Sequence, residues 1–178
     1  NPAKKIASRE GNPRQKSQKE TTELNQPINP MINYQNPDLT QHPPRSPHAR
    51  LGGYVHLPRL LDKERAFAAG KIGSYKFNCP LDQTFFEFTG IDHQELLAAV
   101  KSGKSDTEML AWVSAHTRRA PFEVAAWSQL RETIAPGAAG AHAWFAETIN
   151  ASAKSRDDIR TYFDLLEFDD YVSFGGKA

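Results

Sequence analysis

The sequence predicts a mostly α protein: a compact single domain of about seven short helices with at most one short strand, preceded by a long extended or disordered N-terminal arm. Three observations carry this reading. Beyond residue 50, apolar side chains recur at the spacing of a helix face. Pro and Gly punctuate those stripes at about one helix length. Before residue 50 the composition is of another kind: eight of the 12 prolines fall there, but only one of the 18 aromatics, Tyr34.

A segment so poor in apolar side chains cannot offset its chain entropy by burial. Residues 1–37 are therefore expected to be disordered, or to order only along a partner, and residues 38–178 to form the helical domain. Asp38 to Arg50 reads as extended, because Pro43, Pro44 and Pro47 disfavour helix in themselves and in the residue before each. Met31, just ahead of the compact part, reads as a candidate internal start.

The elements follow in order. Pro58 opens a first helix with Leu57, Leu60, Leu61, Phe67 and Ala68 on its apolar face, and Gly70 stops it. Ser74 to Asn78 alternates polar and aromatic residues, which suits a short strand or an extended link. Pro80 starts a helix bearing Leu81, Phe85 and Phe88 that closes at Gly90. Asp92 caps the next, with Glu95 three residues on and Leu96, Leu97 and Val100 inward. Ser105 and Glu108 form a capping box ahead of Met109, Leu110 and Val113.

Pro121 opens a helix whose expected inner face is Phe122, Ala125, Ala126, Leu130 and Ile134, ended by Pro136-Gly137. Ala141, Trp144, Phe145, Thr148 and Ile149 make the next stripe. Ser155 is the expected cap of the last helix, with Asp157 and Asp158 at its positive end and Ile159, Tyr162, Phe163 and Leu166 inward. Trp112, Trp127 and Trp144 fall on three successive helices and read as core.

Charge and motif exclude more than they assign. Lys plus Arg number 22 against 21 Asp plus Glu, a formal +1, which argues against nucleic acid as a partner. Residues 1–50 hold eight basic and four acidic residues, so +4 of charge sits there and −3 in the remainder. No apolar run is long enough to span a bilayer, and no basic stretch leads an apolar one, so no membrane insertion and a cytoplasmic location are expected. Gly103-Lys104-Ser105 lacks the upstream glycine and strand of a phosphate loop, and helix capping explains both of its ends. The six histidines show no metal-ligand spacing. No cofactor or metal is expected.

Cys79 lies beside the start of the Pro80 helix, where a helix N-terminus favours a thiolate, and His56 lies at another helix start. A catalytic pair of Cys79 and His56 is one reading; a small buried apolar residue is the commoner role of a free cysteine. Asp164, Glu167, Asp169 and Asp170 among aromatics read as a solvated acidic helix face.

Several of these residues sit in longer signatures: Asp38-Leu39-Thr40, Pro44-Arg45-Ser46, Leu51-Gly52-Gly53-Tyr54, Leu57 to Lys63, Phe77 to Asp82, Gly90-Ile91, and Ser105-Asp106 with Met109-Leu110 and Trp112-Val113. This run resembles a bacterial family catalogued as a domain of unknown function and numbered 5069, over roughly residues 38–178. The resemblance implies a bacterial source and brings no activity with it.

Within the signature, Gly52-Gly53 allows positive φ at a tight approach. Arg45, Arg59, Asp62 and Asp82 are expected to cluster, either as an ion network tying the N-terminal stretch to the helices or as an anion-binding pocket. The absence of a catalytic motif beside a long Pro/Asn/Gln-rich arm favours a non-enzymatic accessory or adaptor subunit of a larger bacterial assembly. Its protein partner would be held by Leu24, Ile28, Met31, Ile32 and Tyr34, framed by Pro27, Pro30 and Pro37. The alternative is a small-molecule-binding domain or small enzyme centred on Cys79 and His56, so enzymatic activity stays open.

Overall fold

The protein is seen here as a computed structural model that describes residues 31–153 and 156–177. The chain divides into two compact units, Asn1–Met31 and Ile32–Ala178, and every described helix and strand belongs to the second. Leu24, Ile28 and Ser155 lie outside the described residues.

Seven helices and one two-stranded hairpin make up the described fold. Strands β1 (Arg50–Leu51) and β2 (Tyr54–Val55) pair antiparallel, with Arg50 opposite Val55 and Leu51 opposite Tyr54. Gly52 and Gly53 turn the chain between them at φ of 59° and 88°. Two successive positive φ values are what a tight two-residue hairpin with the native twist demands. Of the two forms that Ser74 to Asn78 suits, the chain takes the link and not the strand. That segment is a series of turns, with Gly73 and Asn78 at positive φ and no strand beside it to pair with.

Helices α1 (Leu57–Ala68), α2 (Pro80–Thr89), α3 (His93–Lys101), α4 (Asp106–His116), α5 (Pro121–Thr133), α6 (Ala139–Ser152) and α7 (Tyr162–Ser173) begin and end largely at the sequence signals. Asp92 accepts from the backbone N–H groups of Gln94 and Glu95 to open α3. Ser105 and Glu108 exchange both bonds of their capping box at α4. Gly90 closes α2 in the left-handed conformation.

The core centres on α1, whose residues Leu57 to Ala66 are all buried. Leu57, Leu60 and Leu61 meet Phe85 and Phe86 of α2, Leu96 and Val100 of α3, and Met109 and Val113 of α4. Phe67 and Ala68, expected inward, reach solvent as α1 ends. A second apolar cluster joins Phe145 and Ile149 of α6 to Leu165 and Phe168 of α7.

Three expectations change. On α5, Val124 and Ser128 face inward, leaving Phe122 and Leu130 at 74% and 57% exposure. Ser128 sets this rotation: its Oγ donates to the Gly53 carbonyl at 2.8 Å and accepts from the Val55 N–H at 3.2 Å, locking the helix to the hairpin. Helix α7 starts at Tyr162, capped by Thr161 and Asp164, so Asp157 and Asp158 precede it rather than line its first turn. Trp112 and Trp127 pack half-buried against the core, whereas Trp144 is 53% exposed.

Candidate functional site

An all-round buried helix is ordinarily apolar all round. Helix α1 instead buries His56 at its N-cap and Arg59, Asp62, Lys63, Glu64 and Arg65 along its length. A buried charge persists only when it is paired and hydrogen-bonded, or when it gives up its charge. Each of these side chains shows which route it takes.

Asp62 takes both the backbone N–H of Arg45, at 2.9 Å, and its guanidinium, at 2.8 Å. Arg45 and Arg65 then converge on Asp106 at 2.5 and 2.7 Å. This network ties the Pro-rich stretch to α1 and to the start of α4. Arg59 makes a two-pronged pair with Asp170 of α7 at 2.6 and 3.1 Å, and Tyr75 donates to the same carboxylate at 2.6 Å. Lys63 meets both oxygens of Asp82 at 2.6 and 2.7 Å, and His56 Nε2 lies 2.8 Å from Asp82. Of the four residues expected to cluster, Arg45, Asp62 and Arg59 are joined, since Arg59 also donates to the Arg45 carbonyl at 3.2 Å, whereas Asp82 pairs with Lys63 and His56. The acidic face expected on α7 is likewise not all solvated, since Asp170 is buried against Arg59.

Protonation follows from these contacts. Burial drives the His56 imidazole down to about 4, outweighing the pull of Asp82. Burial pushes the Asp82 carboxyl up, but the His56 hydrogen bond and the Lys63 charge overcome it and hold it at about 2. At neutral pH the pair is therefore neutral imidazole beside ionised carboxylate. In that state Nε2 carries the proton toward Asp82, leaving Nδ1 a buried acceptor without a partner. Glu64 takes the other route. Neither of its carboxyl oxygens has a partner, and burial raises it well above the ordinary carboxylate range. Burial and the hydrogen bond to Asp170 raise the Tyr75 hydroxyl as well.

Cys79 is the N-cap of α2, with Pro80 in the first turn, as the sequence predicts. Its backbone N–H donates to Asp82 at 3.2 Å, and Lys63 Nζ lies 3.6 Å from its sulfur. A cavity of about 200 Å³ opens here, lined by His56, Arg59, Lys63, Tyr75, Cys79 and Asp169, among others. A second, of about 380 Å³, is lined by Arg131, Trp144, Tyr162 and Leu165, with Cys79, Leu81 and Leu166 common to both. The two residues flanking this place, His56 and Asn78, both adopt left-handed backbone, at φ of 65° and 56°. Such strain in a non-glycine residue gathers at functional sites.

Cys79 and His56 therefore line one cavity, but His56 is bonded to Asp82 and the sulfur to Lys63. The chain of contacts runs Cys79, Lys63, Asp82, His56, and it does not form a thiol–imidazole dyad. Among the described residues, no group of three or more His, Cys, Asp or Glu is placed to hold a metal ion. Tyr75, Lys63 and Asp170 belong to the site through burial and pairing, which no spacing in the sequence reveals; Tyr75 and Asp170 are 95 positions apart.

A family model described as a domain of unknown function, DUF5069, matches residues 41–172. The chain belongs to this family. The match takes in the hairpin, all of α1 to α6 and α7 as far as Val172, and so every residue of the two cavities. A search of curated proteins finds no match. Ahead of the DUF5069 match, Tyr34 gives its carbonyl to Arg65 at 3.1 Å and lies 5.0 Å beneath the Arg45 guanidinium. Of the residues expected to hold a partner, Met31 and Ile32 are exposed, at 93% and 43%.

Proposed function

We propose that this DUF5069 domain binds a small molecule where its two cavities meet at Cys79. The observation that supports this best is the coincidence of four features at one place. A thiol sits beside a buried ammonium, a buried neutral imidazole keeps an unused acceptor, two non-glycine residues hold strained backbone, and adjoining cavities lie on either side of the same three residues. A polar cluster serving packing alone would explain the ion pairs but not the strain or the space. The ligand would meet donors and acceptors in the smaller cavity and apolar walls in the larger, the usual make-up of a small-molecule site.

Small-molecule screening by the shift in Tm tests this reading. Compounds that bind raise the Tm by mass action. Leu166→Trp, which fills the common wall, is expected to abolish those shifts without unfolding the domain. Shifts that persist in Leu166→Trp, or a screen with none, would contradict it.

A second reading, an accessory or adaptor subunit docking through the arm, is favoured by the exposure of Met31 and Ile32. Its expected result is partner capture from native extract that survives moderate salt and is lost in Met31→Ala/Ile32→Ala. Capture that instead fades with salt and ignores those substitutions would point to charge alone.

A further inference from the structure

We infer that the larger cavity takes a small organic acid, its aromatic or alkyl body against Trp144, Tyr162 and Leu165 and its carboxylate on Arg131. This rests on the reading that the domain binds a small molecule at Cys79, and it names the ligand class. Arg45, Arg59 and Arg65 each meet a carboxylate within 2.8 Å. Arg131 does not: among the described residues it joins no ion pair, and its buried Nε–H has no acceptor. The one opposing charge it feels is Glu87, on the exposed side of α2.

A cation in the last turn of α5 complements the helix dipole, but that role is served equally well from solvent. It does not explain a half-buried guanidinium that lines a cavity with its Nε shut off from solvent and without an acceptor; burial lowers its affinity for its proton, an effect that a bound anion would reverse. The cavity's other walls, Pro80, Leu81, Trp144, Tyr162, Leu165 and Leu166, suit an apolar body. The guanidinium fork matches a carboxylate bidentately. A phosphate dianion would call for a second cation, and none lines this cavity among the described residues.

Isothermal titration with 4-phenylbutyrate and its neutral amide provides the test, since the two differ only in the group offered to Arg131. The acid is expected to bind wild type at least about tenfold more tightly than the amide, the scale of one charge-assisted bidentate contact. Arg131→Gln is expected to bind acid and amide alike, and Trp144→Ala to weaken both. Equal binding of acid and amide to wild type, or an acid preference that survives Arg131→Gln, would overturn the inference. If neither compound binds while other molecules give Tm shifts that Leu166→Trp abolishes, the organic-acid assignment falls and the reading beneath it stands. If no small molecule binds at all, both fall.

Discussion

Glu64 is the residue whose behaviour the fold constrains most sharply. With both oxygens buried and unpartnered, it keeps its proton in the folded protein to a higher pH than it does in the unfolded chain. A raised folded pKa gives stability that is fully present below the unfolded value, about 4.3. That stability is lost as pH rises toward the folded value, at up to about 1.4 kcal/mol per pH unit. Glu64→Gln mimics the protonated form. Its urea midpoint should match wild type near pH 4 and exceed it increasingly toward neutrality; a constant difference across pH would refute the assignment. His56 works in the opposite direction. Its folded value near 4 lies below the unfolded one, so its contribution is present above about pH 6.5 and lost as pH falls toward 4. Lys63 and Asp82 form a fully buried pair. Lys63→Met should cost about 3–5 kcal/mol by stranding the carboxylate, and adding Asp82→Asn should restore much of it. A double variant no more stable than Lys63→Met would show that Asp82 is not the charge being compensated.

Among the elements, the caps are the local signals that the sequence states openly. Ser105→Ala should lower stability by about 1 kcal/mol through loss of the α4 cap, read from the denaturation midpoint. Gly52→Ala should cost more than a cap, because φ is 59° and an added Cβ would run into the Leu110 side chain. Helix starts at Pro58, Pro80, Asp92, Ser105 and Pro121 are legible because capping chemistry is local. Helix faces are less so. Phe122 and Leu130 look inward by hydropathy, but one serine hydroxyl bonded to the hairpin outweighs the stripe and turns α5 the other way. Helix α1 is legible in part for a related reason. Its charges are expected to form a network or a pocket, but the partners of Arg65 and Arg59 sit as far away as Asp106 and Asp170, and only the folded chain brings them together.

For the whole folded unit, the same long-range pairing explains why part of the site is readable in the sequence and part is not. Cys79 and His56 are visible as single residues at helix starts, and they do line one cavity. Their partners, Asp82 for the imidazole and Lys63 for the sulfur, become visible only in the folded chain. Arg131 stays hidden, since an arginine at a helix C-terminus is ordinary until its missing partner is seen. No described helix is long and apolar enough to cross a membrane. Tyr34, assigned to the arm by composition, caps Arg65 with its carbonyl and covers Arg45 with its ring, so Tyr34→Ala should loosen the Arg45–Asp106 network and lower the unfolding midpoint.

The claim that Cys79 borders open space beside a buried cation is tested most directly by its alkylation rate with a small neutral reagent, in native protein and in urea. Native protein is expected to label at a rate set by the native state, unchanged by conditions that alter the unfolded population, and slowed in Leu166→Trp. Labelling that occurs only as the protein unfolds would make Cys79 a sealed packing residue and would contradict the account.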